Sequence, residues 1–178
     1  DTNGDVFFNP STQLVSTYTS NDVRRASYFT NSDTEVNKYA GISSVYGLND
    51  IKMFRTSEQY LIRAEAYTRE NNLVAAAADY NMVRRNRIPS YSDETFSTQS
   101  EALSKIDEER RRELAFEGHR FFDLKRNNES ISRLAIDCAP NSFACDLDSN
   151  DYKFTLPIPQ SEIFANPNIE DQQNPGYN

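Results

Sequence analysis

Residues 108–126, EERRRELAFEGHRFFDLKR, crowd acids and bases around Leu114, Phe116, Phe121 and Phe122. Two of the carboxylates, Glu113 and Glu117, stand one helical turn apart. Paired carboxylates are the equipment of a glycosidase, which sets an acid and a base or nucleophile on opposite sides of a sugar. Side chains four residues apart on a helix share a face, so these two would meet the same side of any substrate. Like charges at that spacing also repel and need cations beside them. On a helical wheel Leu103, Ile106, Leu114, Phe121 and Leu124 share one sector. Arg110 and Glu117 fall inside it, and Glu113 lies at its edge. Glu108, Arg111, Arg112 and Lys125 fall outside and read as a solvated face. This pattern predicts a structural ion-pair network, with Arg84, Arg110 and Arg120 as the cations for Glu113 and Glu117 and with Glu65 joining them. It does not predict a catalytic pair. Removing one partner of such a buried pair strands the other charge, at a cost of about 3–5 kcal/mol.

Other chemistry is thinly represented. His119 is the only histidine, which excludes a His-rich metal site and makes any Ser-His-Asp triad depend on one residue in a charged helix. No glycine-rich phosphate loop is present. The stretches DLDSND (146–151) and DTNGD (1–5) alternate oxygens like the start of a calcium loop. The first has Asp151 where Gly is needed and Pro157 where Glu is needed, and the second has no acid at its twelfth position. Asx turns account for both, and neither a metal nor a cofactor is expected. Cys138 and Cys145 lie in CAPNSFAC. A bridge would close a small loop and suit an oxidising compartment; two unpaired thiols are the alternative. No second Cys pair or nearby His completes a zinc site.

Composition sets the frame for these residues. The chain has 178 residues, 37% of them hydrophobic, with 10 Tyr, 11 Phe and no Trp. That aromatic content separates it from a disordered chain. A net charge of -8 disfavours nucleic acid and anionic membrane surfaces as partners. No apolar run approaches the ~20 residues of a membrane span. The chain opens at Asp1 without an initiator Met, so a processed or truncated start is expected.

Three stretches must position the charges: a loop-rich 1–53, a helical core over 54–127 and an irregular wrap over 128–178. DVFFNP and QLVSTY read as short strands. The first helix is predicted from an N-cap at Ser57 to Arg69, with Tyr60, Ala64 and Tyr67 on one face. ENN makes a turn, and a second helix runs from Leu73 to Arg87, where Pro89 stops it. The third is predicted from Thr98 to Asn127, bent at Gly118. The first two match a tetratricopeptide unit, with small Ala64 and Ala76 where its helices cross and aromatic Tyr60, Tyr67 and Tyr80 beside them. Arg63 stands where Leu is usual, and Pro89 comes one residue late. One such unit cannot bury both faces and must pack on more helix. DYKFTLPIP reads as an edge strand or a lone extended segment. The predicted fold is therefore all-α: a tetratricopeptide-like hairpin plus a long third helix, with extensive irregular loops and minor β.

YLIRAEAY (60–67), YNMVRRNRI (80–88), EERRRELAFEGHRFFDLKR, LPIPQSEIFANP and QNPGY, in that order, resemble the C-terminal part of the SusD/RagB family. NDVRRASYF resembles that family's Asp-x-Arg segment through Asp22 and Arg24. The resemblance covers about residue 20 to the end and makes 1–178 a C-terminal domain of the family, lacking an N-terminal portion and its lipid-bearing Cys. It implies a cell-surface, outer-membrane lipoprotein with no enzymatic activity. Such a protein captures oligosaccharides in concert with a SusC-like TonB-dependent transporter. Peptide capture by the same kind of complex is one alternative, and a tetratricopeptide-type scaffold binding only proteins is another. The recognised motifs are framework and place no ligand residues. Sugars are held by flat aromatic faces with Asn, Asp or Arg at their hydroxyls. The loop aromatics that fit are Phe7, Phe8, Tyr28, Phe29, Tyr46, Tyr91 and Phe96. Core anchoring is the expectation for most of them, and Tyr46 is the first choice as a ligand contact.

Overall fold

The computed structural model describes residues 9–30, 32–39, 41, 48–50, 52–138 and 145–177. Phe7, Phe8 and Tyr46 lie outside them, as does most of DVFFNP. The chain divides into two compact units, residues 1–120 and 121–178. The described secondary structure is predominantly helical, with two antiparallel strand pairs.

The first unit is built on a helical hairpin, α3 (Thr56–Arg69) and α4 (Leu73–Arg85). Asn71 turns the chain in the left-handed region at φ 60°, a conformation Asn tolerates better than most residues. Asn72 then caps α4 by accepting from Ala75 N at 3.2 Å. Ala64 and Ala76 are fully buried where the helices meet, and their small side chains let the backbones approach. Leu61, Ala77, Tyr80 and Val83 extend this core, and Phe96 packs edge-on against Tyr80 at 5.3 Å. Helix α5 (Gln99–Glu113) closes it with Ala102 and Ile106. Thr98 caps α5 by accepting from Glu101 N, and Glu101 accepts in return from Ser97 N, a variant of the capping box.

Three expectations need correction here. Helix α3 begins at Thr56, after Arg55, rather than after a Ser57 cap; the Ser57 side chain instead hydrogen-bonds the Glu113 carboxylate. The third helix is two helices. α5 ends at Glu113, and α6 (His119–Asn127) follows a turn in which Phe116 and Gly118 adopt φ of 65° and 81°. QLVSTY is no strand, because Ser11 caps a short helix, α1 (Thr12–Val15), by accepting from Leu14 N at 3.1 Å.

Helix α2 (Val23–Tyr28), capped by Asp22, leads into an antiparallel pair, β1 (Phe29–Thr30) and β2 (Glu35–Val36). Leu14, Tyr18, Tyr28, Phe29 and Ala115 form a second apolar cluster beside the end of α5.

In the second unit, β3 (Ile131–Ser132) pairs with β4 (Asp146–Leu147), and a disulfide joins Cys138 to Cys145 with Cα atoms 5.7 Å apart. The 146–151 stretch forms Asx turns, with Asp148 accepting from Asn150 N and Asp151 capping a 3-10 turn over Tyr152–Phe154. Residues 156–159 run extended without a strand partner. The Gln173 amide stands in for one: it accepts from Ile158 N at 2.8 Å and donates to Ile158 O at 3.0 Å. Asn174 donates to Leu156 O at 2.6 Å. Helix α7 (Gln160–Ala165) and a 3-10 turn over Pro167–Gln172 connect the two sides of this clasp. Gly176, at φ 91°, lies flat against the Tyr152 ring, and Tyr177 meets that ring edge-on at 5.0 Å. Among the described residues no helix is long and apolar enough to cross a membrane.

Candidate functional site: a buried charge cluster

The last turns of α5 carry Glu109 and Glu113, whose side chains are both 0% exposed. A carboxylate cannot be buried ionised without compensating donors. Arg87, just past α4, supplies Glu113 with two, Nε at 2.9 Å and Nη2 at 2.6 Å. Arg24 of α2 adds Nη1 at 2.9 Å, and Arg55, ahead of α3, adds Nη2 at 2.8 Å. Glu109 accepts from Arg24 at 2.6 Å, Arg84 at 3.0 Å and Arg112 at 2.9 Å. Arg24 bridges the two acids and is fixed by Asp22 through Nε at 3.0 Å and Nη2 at 2.7 Å. Glu117, past the helix end, pairs with Lys38 and Arg55.

The same side chains finish the helix. The carbonyls at the end of α5 lack intrahelical partners and carry the negative end of the helix dipole. Lys38 Nζ donates to Glu113 O and Ala115 O, each at 2.9 Å, and Arg55 Nη1 donates to Glu113 O at 2.9 Å. Tyr18 donates to Arg112 O at 2.7 Å and Tyr28 to Glu113 O at 3.3 Å. Lys38 also sits 4.2 Å from the Tyr28 ring centroid, a cation–π contact.

The protonation states follow. Burial alone would raise the Glu113 carboxyl, but the bonds and charge of Arg87, with those of Arg24 and Ser57, lower it to about 2. For Lys38 burial prevails: it falls to about 8 although Glu117 supports the charge. Burial would lower Arg24 as well, yet its bonds to Asp22 and Glu109 raise it overall. Held low in this way, Glu113 is not poised to exchange a proton near neutral pH.

Of the residues predicted for the network, Arg84, Glu113 and Glu117 meet here. Arg110 is buried, with Nη2 3.9 Å from Glu58. Glu65 accepts from Arg69 in its own helix, and Arg120 reaches Asp107. The cations on Glu113 and Glu117 are thus Arg24, Arg55, Arg87 and Lys38, rather than Arg84, Arg110 and Arg120; Arg84 pairs with Glu109 instead. Glu109 was missed, although it precedes Glu113 by one helical turn and so shares its face. Arg112, expected on the solvated face, is buried against Glu109. The wheel considered only the side facing α3 and α4, whereas the segment from α1 to β2 covers another side of α5.

The aromatics candidates divide. Tyr28 is 8% exposed and ends α2 rather than projecting from a loop, so its ring belongs to the second apolar cluster. Phe29 and Phe96 are likewise buried. Tyr91 is half-buried: its hydroxyl bonds Asn81 at 3.0 Å and Glu94 at 2.9 Å, and Arg84 lies over its ring. Among the described residues no group of three or more His, Cys, Asp or Glu is placed to hold a metal ion.

A tetratricopeptide-like hairpin whose third helix is pinned by a buried acid–base cluster defines a helical framework domain. Residues 3–177 match the SusD family model, and the chain belongs to that family. SusD-like protein P2 of Formosa agariphila is 35% identical over an alignment of 154 residues that covers 79% of this chain and 29% of that protein. The crystal structure of a candidate sugar binding protein from Bacteroides vulgatus superposes with a TM-score of 0.77 at 30% identity, covering 93% of this chain and 38% of that one. A SusD superfamily protein from Bacteroides thetaiotaomicron gives 0.73 at 32% identity, over 92% of this chain and 39% of that one. The chain therefore spans less than half the length of these relatives.

Proposed function

We propose that this chain is the C-terminal part of a non-catalytic protein that captures oligosaccharides at the outer-membrane surface. It passes them to a SusC-like TonB-dependent transporter. The observation that carries this reading is the family membership, joined to 30% identity across 93% of the chain with a candidate sugar binding protein. The charge cluster supports the non-catalytic part, since its acids are engaged in fixing helices rather than facing an open cleft. A lipid anchor on the full-length protein would hold it at the surface.

Tyrosine fluorescence during titration with a panel of plant, algal and host glycans tests the reading, with product analysis of the same mixtures. Saturable quenching by a glycan, with no new reducing ends, is the expected result. Release of shorter saccharides would make the protein an enzyme. Silence to every glycan with saturable binding of peptides would transfer the reading to peptide capture. Silence to both, with the transporter still bound, would leave a protein-binding scaffold.

A further inference from the structure

Beside α2 lies a cavity of about 260 Å³ lined by Asp22, whose carboxylate is taken up by Arg24, and by Ser20, Arg25, Ala26, Thr30, Ser32 and Asp33 among others. Pockets for drug-sized ligands run from about 300 Å³ upward, so this one suits a single small ring. Arg25 donates to Asp33 Oδ2 through Nε at 3.0 Å and Nη2 at 2.6 Å. Asp33 Oδ1 takes no hydrogen bond among the described residues, and Arg25 Nη1 has only a long contact, 3.5 Å, to Tyr18 O. The pair is formally neutral and remains partly open to solvent. Ser20, Thr30 and Ser32 add hydroxyls, and those of Ser20 and Ser32 are unbonded among the described residues. A free carboxylate oxygen beside a free guanidinium N–H matches two adjacent hydroxyls, accepting from one and donating to the next. A neutral pair offers no net attraction to a free cation or anion.

Ser32 and Asp33, at φ 57° and 67°, make the reversal between β1 and β2, where tight hairpin turns require left-handed residues and Asp tolerates the conformation. This reversal brings Asp33 against Arg25.

We propose that this cavity is a subsite for one neutral pyranose unit, its vicinal hydroxyls held between Arg25 and Asp33. The proposal rests on the glycan-capture reading. The test is a titration of the ¹⁵N-labelled chain with methyl glycosides of neutral hexoses and pentoses, and with the glycan panel. Saturable amide shifts centred on Ala26, Thr30, Ser32 and Asp33 are expected. Ala26→Phe fills the cavity from an exposed position on α2, and Asp33→Asn keeps a side chain that tolerates the turn while removing the charge. Each weakens binding by about tenfold or more, the scale of one hydrogen bond to a charged group. An unchanged melting temperature in either variant separates that loss from unfolding. Glycan binding with shifts elsewhere and unchanged affinity in both variants overturns the subsite and leaves glycan capture standing. No binding by any glycan overturns both.

Discussion

At Glu113 burial and charge pull in opposite directions, and the arginines prevail. Its carboxyl is about 2 in the fold against an ordinary 4.5. A depressed acid contributes stability above its unfolded value and loses it as pH falls. This group therefore supplies about 3 kcal/mol above pH 4.5, lost progressively toward pH 2. Carboxyl ¹³C shifts should place its titration near 2, and a midpoint at or above 4.5 would remove the argument. Lys38 runs the other way in sign. It titrates at about 8 in the fold and 10.5 when exposed, so between those values the unfolded chain holds the extra proton. Its contribution to stability therefore rises as pH climbs through that window. A Cε shift titrating near 8 is expected, and one near 10.5 would mean that the ammonium is solvated.

Among the elements, the α3–α4 hairpin was the most legible part of the sequence. Its apolar period is strong, ENN supplies the turn, and small residues fall at the crossing. The α5–α6 break was not, because helical periodicity continues through Leu114, Phe121 and Leu124. Gly118 marked a bend, but only Phe116 in the left-handed region reveals a full stop. Two glycines separate conformational from steric demand. A Cβ at Gly118 would meet nothing within 4 Å, so Gly118→Ala should cost only the left-handed penalty, about 1–2 kcal/mol. A Cβ at Gly176 would come within 2.5 Å of the Tyr152 ring. Gly176→Ala should therefore also loosen the Gln173 clasp, read as faster hydrogen exchange at the Ile158 amide. Unchanged exchange there would show that the C-terminal segment is held by other contacts.

For the molecule as a whole, the family and its helical framework were legible because ordered motifs such as YLIRAEAY and EERRRELAFEGHRFFDLKR encode packing. The partners inside the charge cluster were legible only in part. Glu113, Glu117 and Arg84 carry a local signal on a helix face. Arg24, on the short helix α2, and Lys38 and Arg55, from irregular segments, arrive along a path that no periodicity foretells. Ligand residues were least legible, because an aromatic in a loop reads the same whether it anchors, like Phe96, or faces solvent. Buried acids and bases hold the helices together, and equilibrium unfolding of Glu113→Gln in denaturant decides it. A loss of about 3–5 kcal/mol is expected, because three arginines are left without their shared carboxylate. Unchanged stability would contradict it.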